Sequence, residues 1–128
     1  MKVPIESGGQ LYRTFLKTTP NPNPKLDYLT ELREQLSSTL SITLTYVPDK
    51  LLLRPEAFIG YLEVALPTLA EPYESFAHVF LEDVNNEVVP RWLRVVVISE
   101  KIPTRRIVLI DSQPNWNNAS LLALLSSR

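Results

Sequence analysis

Apolar and polar side chains alternate from Ser41 to Val47, with Ile42, Leu44 and Tyr46 set against Thr43, Thr45 and Val47. A period of two predicts a strand with one apolar face turned inward. Pro48-Asp49 stops it, because proline presets φ and aspartate bonds its own backbone. Further on the period changes. Phe76, Val79, Phe80, Val84 and Val88 share one helical stripe, which predicts a helix from Pro72 to Val89 with acidic residues crowding its first half. Pro55 to Leu66 reads as another helix, with proline in its first turn and Phe58, Ile59 and Leu62 on its apolar side. A strand is the competing reading there, since Ile59, Tyr61, Glu63 and Ala65 also alternate. Arg91 to Glu100 and Arg105 to Asp111 alternate again and predict an antiparallel hairpin closed by Lys101-Ile102-Pro103-Thr104. Leu93 to Val97 is apolar on both faces, so one face can pack on helices and the other needs cover, for which a second subunit is the candidate.

The remaining stretches carry weaker patterns. Leu26, Leu29, Leu32, Leu36 and Leu40 recur at helical spacing, so propensity predicts an amphipathic helix within Lys25 to Thr39. Thr19 to Pro24 holds three prolines and reads as an extended connector. Leu11 to Lys17 alternates and predicts a short strand, and Met1 to Gln10 a loose arm. Ser112 to Asn118 is a polar turn and Ala119 to Leu125 a short terminal helix. The expected organisation is an arm and candidate edge strand over 1–19, then one domain over 20–128.

Composition narrows the functional classes. With 128 residues, 45% of them hydrophobic, the chain can bury one real core. A formal charge of −1 with scattered basic residues gives no nucleic-acid footprint. The absence of cysteine removes disulfides, thiolate metal sites and thiol nucleophiles together, and fits a cytoplasmic setting. No run reaches the length of a membrane span, and three glycines leave no glycine-rich phosphate loop.

A co-linear set of short runs adds a resemblance. It comprises Pro20-Asn21-Pro22, Asp27-Tyr28, Ile42 through Lys50, Tyr61-Leu62, Tyr73-Glu74, Pro90 through Val95, and Ile107 through Asp111. In order and spacing these resemble the NADPH-dependent 7-cyano-7-deazaguanine (nitrile) reductases of queuosine biosynthesis, over roughly Pro20 to Asp111. The resemblance implies an α+β tunnelling fold: antiparallel strand pairs, two helices between them, and subunits closed into a ring with sites at their boundaries. It also implies a strand at Asp27 to Leu36, where the leucine spacing predicts helix, with Leu11 to Lys17 as a displaced partner strand. Both readings of 26–40 stand at this point.

The same resemblance marks what is lost. The family attacks the nitrile with a cysteine, relays protons through an aspartate and takes hydride from NADPH. This chain has no cysteine, and Ser37, Ser38 and Ser41 stand without an evident base, the single histidine being His78. After Pro48-Asp49-Lys50 the family's glutamate position is Arg54 here, and its lysine-rich run is Pro55 to Ile59, so the cations expected near the cofactor phosphates are absent. NADPH is therefore expected only if the family activity were retained, no other cofactor is expected, and catalysis by the family's route is disfavoured. Glu74 keeps the carboxylate with which the family grips its heterocycle, and Tyr73 replaces a histidine, so both are expected ligand-binding residues. Arg105 and Arg106 are a candidate anion site. Trp92 and Trp116 are candidate pocket-lining residues, and Asp49, Glu56 and Asp111 would pair only if the fold joined them. The expected functions are a degenerate ring-forming subunit binding a purine- or pterin-like heterocycle, a structural subunit partnering an active paralogue, or an active reductase. No nucleic-acid or membrane partner is expected.

Overall fold

A computed structural model describes residues 12–127, so the Met1 to Gln10 arm lies outside the described residues. The fold is α+β. Strands β1 (Thr18–Pro20), β2 (Thr30–Gln35), β3 (Leu40–Val47) and β4 (Leu51–Leu53) precede helices α1 (Pro55–Ala65) and α2 (Tyr73–Glu87). Strands β5 (Trp92–Ser99) and β6 (Arg105–Ser112) follow, and a short helix α3 (Ala119–Leu122) runs into a 3-10 turn at Ala123–Ser127. The main sheet is antiparallel throughout in the order β2-β3-β5-β6, and β1 pairs with β4 in a two-stranded ribbon.

The core lies between the main sheet and the two long helices. Ile42, Leu44 and Tyr46 of β3 and Leu93, Val95 and Val97 of β5 are at most 1% exposed. They meet Phe58, Tyr61 and Leu62 of α1 and Phe76, Phe80 and Val84 of α2. Tyr61 and Phe80 pack edge-on with centroids 5.2 Å apart, a geometry that adds to their burial. Polar atoms in this core are paired, as an unpaired one would cost about 1–3 kcal/mol. Tyr61 Oη donates to Asp83 Oδ2 at 2.6 Å, and Leu53 N–H donates to Tyr46 Oη at 2.8 Å. Burial pushes both phenols up, and for Tyr61 the neighbouring Asp83 carboxylate adds to the effect.

Two readings left open by the sequence are decided, and one expectation changes. Lys25 to Thr39 forms no helix among the described residues; β2 occupies Thr30–Gln35 and pairs with β3 from Thr30↔Tyr46 to Gln35↔Ser41. Ser37 and Ser38 lie in the turn of that hairpin, where Leu36 N–H donates to Leu40 O at 2.7 Å. The leucine spacing does not select the element: Leu32 packs against the core from β2, whereas Leu26 is 53% exposed. The strand expected over Leu11 to Lys17, of which Leu11 lies outside the described residues, is not found among the rest: Arg13–Phe15 is one 3-10 turn, and Tyr12 and Leu16 bury their side chains in the core. Between the alternatives at Pro55 to Leu66, the helix is found, because Phe58, Tyr61, Leu62 and Ala65 reach the core only at helical spacing.

The second face of the sheet is covered in part by the same chain. Leu122 and Leu125 share a cleft with Trp92, Arg94 and Ile110 on that face. Trp92 and Val96 are each 5% exposed, while Val108 and Ile110 on β6 stay open to solvent. Among the described residues no helix is long and apolar enough to cross a membrane.

Candidate functional site

Strand β5 begins and ends in two polar clusters of different character. At its start, Arg91 is the hub. Its Nη1 donates to Asp27 Oδ1 at 3.1 Å and to Leu26 O at 3.4 Å, and its Nη2 donates to Asp49 Oδ1 at 3.1 Å and to Pro24 O. The second oxygen of each carboxylate is used as well. Asp27 Oδ2 accepts from Trp116 Nε1 and Asn118 Nδ2, and Asp49 Oδ2 from Gln113 Nε2, all at 3.1 Å. Asn21 ties in the proline connector: its Nδ2 donates to Asp49 O at 2.7 Å, and its Oδ1 accepts from Tyr28 Oη at 2.6 Å. One guanidinium thus joins the connector, the Pro48-Asp49 turn and the chain after β6. With both Nη nitrogens and all four carboxylate oxygens engaged, this cluster is a structural lock.

At the other end of β5 lie Tyr73, Glu74 and Arg105. The fold joins them because Arg105 pairs with Ser99 in the hairpin, next to the first turn of α2. Arg105 Nη2 reaches both oxygens of Glu71 at 2.6 Å, and its guanidinium carbon sits 5.5 Å from the Tyr73 ring centroid. Tyr73 N–H donates to Glu71 Oε1 at 3.2 Å, and Lys101 Nζ donates to Tyr73 Oη at 3.4 Å. The hydrogen bond from Arg105 holds the Glu71 carboxyl below the usual carboxylate range, and Glu71 in turn raises Arg105. A cleft of about 250 Å³ opens beside them, lined by Glu71, Ser99, Lys101, Ile102, Pro103 and Arg105.

Two atoms in this cluster lack what the lock supplies. Glu74 Oε1 and Arg105 Nε are shielded from solvent, and neither has a hydrogen-bond partner. One is an acceptor and the other a donor, and the Glu74 charge acts on Arg105. Glu71 and Lys101 belong to this cluster too; in sequence Glu71 reads only as helix-start acid, and its pairing with Arg105 spans 34 residues.

The other expected residues disperse. Arg106 does not join Arg105: adjacent strand residues face opposite sides, and Arg106 lies on the outer face beside Ile98 and Leu125. That corrects the expected two-arginine anion site, and Arg105 itself is held by Glu71. Asp49, Glu56 and Asp111 do not pair, being bound to Arg91, Arg54 and Asn85. Trp92 lines the outer-face cleft, whereas Trp116 serves the lock. His78 turns its Nδ1 to Glu74 O at 2.8 Å, and Ser37 Oγ accepts from Thr39 N–H. Among the described residues no group of three His, Asp or Glu side chains is placed to hold a metal.

At the start of α1, Ala57 and Phe58 turn into the core, and the exposed Arg54 faces Glu56 at 3.9 Å. Compared with models of known protein families and with curated proteins, the chain matches none.

Proposed function

We propose that this chain is a nitrile-reductase-like protein of the tunnelling fold that has lost the reductase chemistry and binds a flat heterocycle at Glu74. The observation that carries the reading is the pair of dry, unpartnered atoms, Glu74 Oε1 and Arg105 Nε. A buried polar atom without a partner costs free energy, so such a pair is kept where something else completes it. An acceptor beside a donor is complementary to the lactam edge of guanine, a deazaguanine or a pterin, which presents N–H next to C=O. The Ile102-Pro103 turn supplies apolar surface at the same end. The ring assembly that the fold implies would bring a second subunit to this boundary.

Isothermal titration with guanine, 7-deazaguanine and pterin tests the reading. The wild type should bind at least one, and Glu74→Gln, which exchanges one acceptor for a donor, should weaken that binding about tenfold or more. Equal binding by the variant, or none by the wild type, ends the ligand reading. With no cysteine available, NADPH-dependent nitrile turnover should be absent.

A second reading is a structural subunit of an assembly. It is favoured by Glu71 occupying the Arg105 fork and by the guanidinium covering the Tyr73 ring. Its outcome is a ring of defined mass in native mass spectrometry together with no heterocycle binding.

A further inference from the structure

We propose that the tip of the β5–β6 hairpin plugs into a cleft at the opposite edge of a second copy of this chain, so that copies join head to tail. The inference rests on the assembly expected above and gives it a contact; it does not depend on a heterocycle at Glu74. The plug is Ile102, which is 99% exposed. The tip that carries it is braced. Glu100 N–H donates to Thr39 O at 2.7 Å, Lys101 Nζ reaches Tyr73 Oη at 3.4 Å, and Arg105 is held by Glu71. An apolar side chain presented in this way loses little further freedom on binding.

The socket lies where the end of β2 meets α1. Leu36, Ile59, Leu62 and Leu66 give it apolar walls, and Glu34 and Glu63 stand beside them. Ile59 and Leu66 are 36% and 41% exposed. Its volume of about 70 Å³ suits one aliphatic side chain, well below the roughly 300–1,000 Å³ of small-ligand pockets. Charge is complementary as well. Neither Glu34 nor Glu63 makes an ion pair with any described residue, so the socket is negative. At the tip, Lys101, Arg105 and Arg106 stand against Glu71 and Glu100, one positive charge in excess. Complementary charge of this kind sets orientation and speeds encounter.

Position decides that the partner is another copy. Strands β2 and β6 are the two edges of the main sheet. Plug and socket lie at the same end of it, where Leu40 pairs with Ser99 and accepts from Leu36 N–H. Both are on the helix-covered side, since Arg105 meets Glu71 just before α2 and α1 lines the socket. Within one chain, three strand spacings keep the two edges roughly 14 Å apart, so the plug does not reach its own socket. A neighbour set alongside does reach it. Each copy then still offers one plug or one socket, which builds a ring or a filament.

The lack of cysteine makes the contact easy to trap. Ile102→Cys chains mixed with Ile59→Cys chains and oxidised should give mainly the mixed disulfide dimer. In sedimentation velocity the wild type should assemble. Ile102→Asp, Lys101→Glu and Glu63→Lys, all at exposed positions, should each weaken assembly about tenfold or more while keeping the wild-type circular dichroism. An equimolar mixture of Lys101→Glu and Glu63→Lys chains should assemble again, because every unlike pair regains opposite charges. The contact alone is overturned if the variants assemble like the wild type, if the mixture does not recover, or if like-with-like disulfides match or exceed the mixed one. A monomeric wild type would give the socket to another partner and overturn the contact and the expected ring together.

Discussion

The two ends of β5 hold charged clusters of similar size that are built on opposite principles. Around Arg91, both oxygens of Asp27 and of Asp49 have partners, and two backbone carbonyls take further bonds from its Nη1 and Nη2. Around Arg105, two polar atoms are dry and unfilled, and the strongest ion pair is solvent-exposed. A closed network spends its hydrogen-bonding capacity on holding the chain; an open one keeps capacity for something else. Pro20-Asn21-Pro22, Asp27-Tyr28 and Pro90-Arg91-Trp92 fall at the closed end, and Tyr73-Glu74 at the open one.

The contrast breaks most readily at Arg91. Arg91→Ala strands two half-buried carboxylates and should cost ~3 kcal/mol in urea unfolding. A loss under 1 kcal/mol would mean that the lock is decoration. The next effect has the opposite sign. Val89, just past α2, takes φ of 50°, a left-handed conformation that a β-branched residue resists, and it is 51% exposed. Val89→Gly should raise stability by ~1 kcal/mol, read as a higher unfolding midpoint. A fall would show that the Val89 side chain holds the helix end by contact.

Smaller effects belong to the open end. Glu74→Ala should change stability by no more than ~0.5 kcal/mol, because the loss of a first-turn acid is offset by removal of a dry carboxylate oxygen. A substantial loss, close to that of Arg91→Ala, would make Glu74 a second structural anchor. The smallest is the pH dependence of Glu71. Its carboxyl sits below the ordinary 4.5 in the folded protein because Arg105 bonds it. Folding therefore gains from this pair above the ordinary value and loses the gain as pH falls through the lowered one. Wild type and Glu71→Gln should thus differ slightly near neutrality and converge in acid; a gap that widens below pH 4.5 would contradict the pairing.

Elements in which local pattern and tertiary burial agree were legible in the sequence. Helices α1 and α2 and strands β3, β5 and β6 each bury the face that their own periodicity marks. Strand β2 was not, because it is a half-exposed edge whose conformation is imposed by pairing with β3. Strands β1 and β4 are three residues long and exist only through each other. At the open end, the fold brings Tyr73, Glu74 and Arg105 together, and with Glu74 and Arg105 31 positions apart no local pattern marks that meeting. The failure of Arg106 to join them was written in strand geometry, which forbids neighbours from sharing a face. The Arg91 lock could not be read locally, as its ties span up to 67 residues.

Strand β6 reads Arg105-Arg106-Ile107-Val108-Leu109-Ile110, doublets of like character along its whole apolar stretch. Shifting it by one place against β5 would keep aliphatic in place of aliphatic over most of Ile107 to Ile110, but would carry Arg106 into the buried position of Ile107 or Asp111 into the place of Ile110. Its aliphatic doublets therefore encode little alignment, and its charged ends encode most of it. The frame is held at the two ends, by Arg105 on Glu71 and by Asp111 on Asn85, as a ruler is held by clips. Loosening either clip would leave the outermost strand aligned by the cost of that one misplaced charge.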